Sequence, residues 1–246
     1  MLLRVWRAVC AVALIFALPA VAQTYPSKAI RLIAPFAPGG NIDITARAIA
    51  PGLTEQLGQS VVVENRGGAG GRIGTEIAAK AAPDGYTMLL GSSGSLTVNP
   101  AFSTAHAYDP LRDFAPTSLV SIVPLMLVVH PSLPAHTAKE FIALAKAKPG
   151  AVLMASAGTG SNTHLTGELF QLIAGVKLTH VPYKGSGPAL IDLLGGQTHC
   201  IFDQVSTSGT YVIAGKLRAI AVASTKRSST LPNVPTMEEA GVRGFE

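Results

Sequence analysis

Residues 31–47, RLIAPFAPGGNIDITAR, decide the fold, because they combine a strand, a tight turn and the start of a helix. The apolar run at residues 30–34 predicts a buried strand. The prolines and glycines at residues 35–40 then exclude both strand and helix and predict a turn. Beyond the turn, apolar residues recur at a spacing compatible with a helix, which either Asn41 or Asp43 can cap.

A strand that leads through a glycine turn into a helix brings several backbone N–H groups together. The first N–H groups of a helix have no partner inside the helix, and the helix dipole is positive at that end. The segment therefore suits a small anion, and Gly39 and Gly40 are candidate contacts. An ordinary structural turn of an α/β protein explains the same residues, and both interpretations stay open at this point.

The N-terminus has the pattern of a cleavable export signal over residues 1–22. Arg4 and Arg7 precede an apolar run at 8–18, and small residues at 20–22 form a cleavage site. The apolar run is too short to span a bilayer comfortably, and no second stretch is long enough to do so. The sequence therefore predicts a periplasmic protein released from its signal peptide.

The composition of the mature chain narrows the class of protein. Two of the 19 basic side chains lie in the leader and none of the 14 acidic ones does, so the mature net charge is about +3. This charge is too mild to indicate nucleic acid as a partner. Cys200 is the one cysteine that remains, so no internal disulfide is expected and a hydrophobic core must stabilise the chain.

Predicted strands and helices alternate through the rest of the chain, with glycine- or serine-rich turns after several strands. A loop of small hydroxyl residues at a strand end is where α/β folds place ligands, which makes Ser92 and Ser93 candidate contacts. The last short helix is opened by Thr236, and Leu165, Leu169 and Leu172 share one face of the helix at 165–173. The predicted strands are 61–65, 86–90, 119–129, 152–155, 177–181, 200–203 and 217–223, and the other predicted helices are 73–82, 137–148 and 188–194.

These elements predict an α/β fold of two lobes in a clamshell arrangement, each lobe a sheet flanked by helices, with chain crossovers between them. We predict that residues 23–122 and 223–246 form domain 1 and that residues 123–222 form domain 2. One strand–turn–helix unit on each lobe would hold a ligand with two acidic groups. Several converging charge-assisted hydrogen bonds are needed for this, because burial of a carboxylate is costly.

Seven ordered motifs resemble the Bug-type periplasmic solute-binding proteins of tripartite tricarboxylate transporters (TctC-like proteins). The similarity covers essentially all of the mature chain, and the set is specific although no single motif is. The motifs are PFAPGG at 35–40 with Asp43 and Arg47, VENRGGAGG at 63–71, PDGYT at 83–87, ASAG at 155–158 with the His-Leu pair at 164–165, HVPYKG at 180–185, DLLGGQ at 192–197 and LPNVPT at 231–236.

The resemblance implies a two-domain periplasmic-binding-protein fold that closes on a small organic acid without a cofactor or a metal. In that family the loop and the turn that match 36–43 and 157–164 grip carboxylates through backbone N–H groups and bridging water. An acid at the Asp203 position faces the cleft. The resemblance implies membrane transporter subunits as partners. A sensor receptor in the membrane is the alternative partner, because its ligand site would look the same, and we expect a monomer. The predicted ligand contacts are Phe36, Ala37, Gly39, Gly40, Asp43, Ser92, Ser93, Ala157, Gly158, Thr159, Gly160, Ser161, His164 and Asp203.

The chain departs from the family pattern at three places. Gly67 replaces a usual proline, which is expected to loosen that turn, and Thr-His-Cys at 198–200 replaces a more usual Val-Asp-Leu. Family members continue well past the residues that match 244–246, with helices that pack on the first domain. The resemblance therefore implies a truncated chain with an incomplete first domain.

A hydrolase is the rival class, because Ser161, His164 and Asp203 have the residue types of a catalytic triad. No G-x-S-x-G elbow is present, and capping of a helix explains Ser161 more simply. The glycines at 68–74 do not match a dinucleotide fingerprint, and the six histidines lack the spacing of a metal site. We predict that the chain is not an enzyme.

Overall fold

The computed structural model describes residues 24–102 and 107–245. The predicted signal peptide at 1–22 lies outside the described residues. The described chain is an α/β structure with a three-stranded and a five-stranded sheet, each flanked by helices, as predicted. None of the helices in this part of the chain is both long and apolar enough to cross a bilayer.

The first sheet is parallel and has the strand order β2-β1-β3. The stretch at 31–47 folds as predicted, because β1 enters its turn and leads directly into α1. Isoleucines and alanines of these elements form the core of the lobe together with Leu32 and Leu90. The elements are β1 (Ile30–Ala34), α1 (Asn41–Leu57), β2 (Val61–Asn65), α2 (Arg72–Ala79), β3 (Thr87–Leu89), a π-helical turn at Gly94–Val98 and α3 (Asn99–Phe102).

The second sheet is mixed and has the strand order β6-β5-β7-β4-β8. Strands β5, β6 and β7 are parallel to one another, whereas β4 runs antiparallel to both β7 and β8. Helices α4 and α5 cover one face of this sheet, and α6 and α7 cover the other. The elements are β4 (Leu125–Val129), α4 (Ala138–Ala147), β5 (Leu153–Ser156), α5 (Asn162–Ala174), β6 (Thr179–Pro182), α6 (Ser186–Leu194), β7 (Cys200–Gln204), α7 (Val205–Ile213) and β8 (Arg218–Ala223).

The C-terminal segment packs on the five-stranded sheet. Met237, Val242 and Phe245 are buried in the same core as Phe170 and Phe202, and the rings of Phe245 and Phe202 stack with centroids 6.2 Å apart. The structure thus differs from the prediction that residues 223–246 complete domain 1, because these apolar side chains fill a face of the second sheet. The other domain boundaries stay a prediction.

The expected last helix forms only a turn. Glu239 N donates to Thr236 Oγ1 and Thr236 N donates to Glu239 Oε2, which is the reciprocal pattern of a capping box. No helix is assigned after this box among the residues up to 245.

One further predicted boundary was wrong. The strand predicted at 119–129 begins only at Leu125, where pairing with β7 starts, and the residues before it are irregular and mostly exposed. The face of α5 that carries Leu169 and Leu172 is turned toward solvent, and the exposed fraction of Leu172 is 80%. Helix α5 instead buries Gly167 and Phe170, because the glycine lets the helix approach β5 closely.

We predict that Gly167→Ala destabilises the second lobe. A Cβ at Gly167 would collide with Sδ of the fully buried Met154, so the free energy of unfolding should fall by about 1–3 kcal/mol. Gly52→Ala is the matched control, because Gly52 is also helical and a Cβ there has no atom within 4 Å. This control should gain about 0.5–1 kcal/mol from helix propensity. Thermal melts measure both changes, and equal melting temperatures for the two variants would contradict the packing described.

Candidate functional site

The predicted turn after β1 lies at the contact between the two sheets. Ala37 N donates to Lys184 O at 2.9 Å, which joins the turn to the loop before α6. A Cβ at Gly187 would collide with the carbonyl oxygen of Pro38, so the two backbones are in close contact. The predicted contacts Ala37 and Gly39 are therefore interlobe residues in this structure.

Three helix N-termini converge at this contact. A Cβ at Gly40, the N-cap of α1, would lie 3.5 Å from the backbone nitrogen of Ser186, the first residue of α6. Ser206 Oγ at the start of α7 donates to Asn41 Oδ1 at 2.7 Å. Each helix presents the positive end of its dipole here, so the region attracts negative charge.

Some amides at this contact have no partner. Within the described ranges, the N–H groups of Asn41 and Ile42 in α1 and of Ser186 in α6 make no hydrogen bond. The first amides of a helix have no acceptor in their own helix and need an external one. This part of the site therefore has the chemistry of an anion-binding position.

Asp43 has a structural role at the same turn. Its Oδ2 accepts from Gly39 N at 2.9 Å and its Oδ1 accepts from Arg47 Nε at 2.9 Å. Neither Asn41 nor Asp43 caps α1 in the predicted way, because Gly40 is the N-cap residue and no side chain caps it. Asp43 instead fixes the shape of the turn by binding an amide that precedes the helix.

The second predicted turn, at 157–161, uses most of its amides internally. Ala157 N donates to Thr163 Oγ1 at 2.7 Å, Gly158 N to Ser156 Oγ at 3.1 Å, and Gly160 N to His164 Nδ1 at 3.3 Å. The N–H group of Thr159 has no partner within the described residues. The turn is thus held rigidly, and it offers fewer amides to a ligand than its sequence suggests.

The same turn contacts the first lobe at a place different from the turn after β1. Asn162 Nδ2 donates to Ser93 Oγ at 2.8 Å, and a Cβ at Gly158 would lie 3.0 Å from Gly70 N. Asn99 Nδ2 donates to Gly70 O at 3.0 Å within the first lobe, and a Cβ at Gly160 of the second lobe would lie 2.5 Å from Asn99 Oδ1. The two predicted turns therefore each pack on the opposite lobe, and they do so through different residues.

The other predicted contacts of the first lobe take different positions. Phe36 is buried, and its ring lies where a Cβ on Gly71 would be, so it fills space between β1 and α2. The hydroxyl of Ser92 donates to Ser95 Oγ at 3.3 Å, within its own loop, whereas Ser93 reaches the second lobe.

Two histidines stack beside the second turn. The rings of His164 and His180 have centroids 4.0 Å apart, and His180 Nε2 lies 2.6 Å from Ser156 Oγ. The pKa of His180 is lowered to about 4. Burial is the larger cause, and the neighbouring His164 contributes to the same shift. Burial also lowers the pKa of His164, which the carboxylate of Glu168 partly offsets. Both rings are therefore neutral at pH 7.

Asp203 ends β7 as a fully buried carboxyl group. Its Oδ2 accepts from Thr207 Oγ1, but Oδ1 has no hydrogen-bond partner within the described residues. Burial raises the pKa of Asp203 above its ordinary value, and the nearby hydroxyls of Thr207, Ser186 and Ser208 partly offset this.

The three residues considered as a catalytic triad do not form one in this structure. Ser161 is the N-cap of α5, and its hydroxyl donates to Gly158 O at 2.6 Å. His164 Nδ1 accepts from a backbone amide, and its Nε2 faces Glu168 at 3.5 Å. Asp203 is bound to Thr207. Within 24–102 and 107–245, no three His, Cys, Asp or Glu side chains are grouped to hold a metal ion.

A groove of about 560 Å³ lies on the outer side of the first lobe, between α1 and β2. Arg47, Glu55 and Val63 are among the residues that line it. It contains none of the unpaired amides described above, so it is separate from the interlobe contact.

Sequence reasoning missed the loop at 184–187 as part of the site. We used the HVPYKG motif at 180–185 only as part of the family resemblance, but its loop supplies Lys184 O and leads into the N-terminus of α6 at the interlobe contact. Its Lys-Gly-Ser-Gly sequence places glycines at the start of a helix, as in the other two turns. This pattern could have predicted a third anion-binding turn. Asn99 and Asn162 had no comparable signal, because their roles depend on the opposite lobe.

We predict that Gly187→Ala separates the two lobes. The added Cβ has no room against the carbonyl oxygen of Pro38, whereas the rest of α6 can stay folded. Gly195→Ala at the other end of α6 is the control, because its nearest atom would lie at 3.5 Å. Small-angle X-ray scattering should show a larger radius of gyration for Gly187→Ala alone. An unchanged radius for that variant would disprove the close contact.

We predict that His180 destabilises the fold as the pH falls from about 6.5 toward 4. The folded protein holds this ring neutral, whereas the unfolded chain takes up a proton, so the stabilisation present above pH 6.5 is lost on acidification. The ring is partly exposed, so we expect a loss of about 1–3 kcal/mol. Melts of the wild type and His180→Gln between pH 7.5 and 4.5 measure it, with His136→Gln as an exposed control. Parallel pH curves for the wild type and His180→Gln would contradict the prediction.

Comparison with known proteins agrees with this architecture. The profile of the tripartite tricarboxylate transporter family receptor matches residues 45–246. The protein BugT of Bordetella pertussis is 46% identical over 230 residues, which are 93% of this chain and 71% of BugT.

Two solved structures with bound ligands are also similar. Rpa4515 of R. palustris, solved with adipate, is 39% identical with a TM-score of 0.87 and is matched over 90% of this chain and 74% of its own. MatC (Rpa3494) from Rhodopseudomonas palustris, solved with bound malate, is 34% identical with a TM-score of 0.86, over 90% of this chain and 76% of its own. The chain therefore belongs to the tripartite tricarboxylate transporter receptor family, whose members are two-lobed periplasmic solute-binding proteins.

Proposed function

We propose that this protein captures a small carboxylate between its two lobes in the periplasm and does not chemically change it. The observation that carries the proposal is the convergence of the α1, α6 and α7 N-termini with unpaired amides at Asn41, Ile42 and Ser186. Converging amides at helix N-termini are suited to an anion. The ligands of the two solved relatives, adipate and malate, are both carboxylates, which supports the same ligand class here.

Separation of the lobes would expose more of this surface. The amide of Ala37 is bound to Lys184 O, which belongs to the opposite lobe, so it becomes free when the lobes part. A carboxylate entering at that moment would find the Ala37 amide beside the unpaired amides of α1. The lobes would then close again with the ligand in place of the direct contact.

The second turn is proposed to hold the other end of the ligand. The N–H group of Thr159 has no partner within the described residues, and Asn162 at the N-terminus of α5 joins this turn to Ser93 of the other lobe. Ala157, Gly158, Gly160 and Ser161 are proposed to shape this turn through their internal hydrogen bonds. His164 supports the turn by accepting from Gly160 N.

The proposed partners are the membrane subunits of a tripartite transporter, which would accept the ligand from a monomeric binding protein. The predicted signal peptide and the family both support a periplasmic location. A sensor role, in which the closed form reports to a membrane receptor, uses the same site and is the second candidate. The chain spans 71% of BugT, and these partners are proposals for the whole protein.

We predict that the protein binds at least one organic acid in a calorimetric screen of monocarboxylates, dicarboxylates, tricarboxylates and aromatic acids. Binding should also raise the melting temperature, because a ligand that binds only the folded state stabilises it. Nuclear magnetic resonance of the recovered ligand should show it unchanged. Turnover of an ester or amide probe would support the hydrolase alternative instead, and no binding to any acid would overturn the proposal.

A pair of variants at one position tests the role of the helix amides. Asn41→Pro removes the first amide of α1 at a position that favours proline, and the preceding Gly40 already has an extended backbone. Asn41→Ala is the control, since it loses the same side-chain contact to Ser206 but keeps the amide. The loss of a charge-assisted hydrogen bond of about 1.5–3 kcal/mol should weaken binding by roughly 10–100-fold in Asn41→Pro relative to Asn41→Ala. Equal affinities would exclude this amide from the site.

A further inference from the structure

The turn between β1 and α1 is bound by side chains at both of its ends. Asn65, the last residue of β2, donates through Nδ2 to Phe36 O at 3.1 Å. At the other end, Asp43 Oδ2 accepts from Gly39 N at 2.9 Å. The backbone held by these two bonds leads into α1, whose first amides have no partner within the described part of the chain. The direction in which those amides point therefore depends on how the turn is held.

Arg47 connects the two side chains that hold the turn. Its Nε donates to Asp43 Oδ1 at 2.9 Å, and its Nη2 donates to Asn65 Oδ1 at 3.1 Å. A guanidinium group can make both bonds at once, because its N–H donors form a rigid planar fork. We call the resulting chain of hydrogen bonds the side-chain brace, and it runs through Phe36 O, Asn65, Arg47, Asp43 and Gly39 N.

The brace also balances the charge of the Asp43 carboxylate. Asp43 is buried in the first turn of α1, where an unpaired negative charge would repel an incoming carboxylate. Both of its oxygens have donors, and one of these donors is the cation of Arg47. The positive end of the α1 dipole therefore remains able to attract an anion.

The position of Arg47 gives it little weight in the stability of the fold. Its side chain is 56% exposed, and it lines the outer groove between α1 and β2. Exposed ion pairs of this kind add little to the free energy of folding. The guanidinium instead determines the geometry of a turn at the contact between the lobes, since Ala37 within that turn donates to Lys184 O.

We propose that Arg47 and Asn65 are positioning residues of the carboxylate site. They act on the turn through Asp43 and Phe36, and they fix the direction of the α1 amides before a ligand binds. A site that is ordered in advance loses less conformational entropy on binding, so its affinity is higher. The inference rests on the proposed function, because it names the residues that hold one half of that site in place.

Hydrogen exchange of the free protein tests the brace without any ligand. Arg47→Met removes every donor of the guanidinium and keeps an unbranched side chain, so the amide of Gly39 should exchange at least tenfold faster by nuclear magnetic resonance. Lys80→Met is the matched control, because it also removes an exposed i,i+4 ion pair, the one with Glu76 on α2. The control should leave the exchange of Gly39 unchanged. Equal exchange rates in Arg47→Met and the wild type would overturn the inference.

Calorimetry tests the effect on the site, with malate, adipate and any further acid that binds in the broader screen as probes. We expect Arg47→Met to bind at least fivefold more weakly than the wild type and Lys80→Met to bind equally. Arg47→Lys keeps the positive charge but has a single nitrogen in place of the fork, so it should lose most of the same affinity. Wild-type affinity in Arg47→Lys would show that charge alone matters, which contradicts a positioning role.

A double variant shows whether the two residues act through one brace. Asn65→Ala should weaken binding about as much as Arg47→Met. The combined variant should bind no more than twofold more weakly than the weaker single variant, because residues in one hydrogen-bond network are not additive. Losses that multiply would disprove the shared brace, and thermal melts establish that each variant folds. Failure of the wild type to bind any acid counts against the proposed function, whereas the exchange rate of Gly39 still decides the brace.

Discussion

The hydrogen bond from Ala37 N to Lys184 O, with the close backbone approach of Pro38 and Gly187 beside it, determines how the rest of the structure is arranged. It joins the turn after β1 to the loop before α6, and so it connects two sheets that otherwise have separate cores. Because glycine is present at 187, the helix N-termini can meet without a side chain between them. The charge properties of the site follow from this contact.

Most polar side chains around the contact form hydrogen bonds with backbone groups of the turns. Few of them have a donor or acceptor that remains available to a ligand. Asp43 binds the amide of Gly39, Ser161 caps α5, and His164 accepts from Gly160 N. These bonds hold the turns in place before any ligand arrives, which reduces the conformational entropy lost on binding. Asp203 is different, because one of its oxygens is buried without a partner. The site therefore combines a rigid frame with a small number of unsatisfied groups.

The order and type of the elements could be predicted because they depend on local pattern. The strand at 30–34 and the strand at 61–65 have the bounds that were expected, and Thr137 is the N-cap of α4 at the start of the helix predicted at 137–148. Of the candidate site, Ala37, Gly39 and Gly40 lie in the turn after β1 at the contact between the lobes, whereas Ser93, which was expected in a loop, opens the π-helical turn at Gly94–Val98 and reaches the second lobe. The errors concern where an element begins: the strand expected at 119–129 starts only at Leu125, because its pairing with β7 starts there.

The sequence by itself determined the α/β class and the glycine turns that open the helices, since propensity and periodicity act over a few residues. Its seven ordered motifs also indicated the family, because they are read directly from the residues. Only the tertiary structure decided that the turn at 35–40 meets α6 and that the turn at 157–161 meets Gly70. It also decided that Phe245 packs on the second sheet and that Oδ1 of Asp203 has no partner. These features depend on which atoms far apart in the chain come within a few ångströms, and no local pattern encodes that distance.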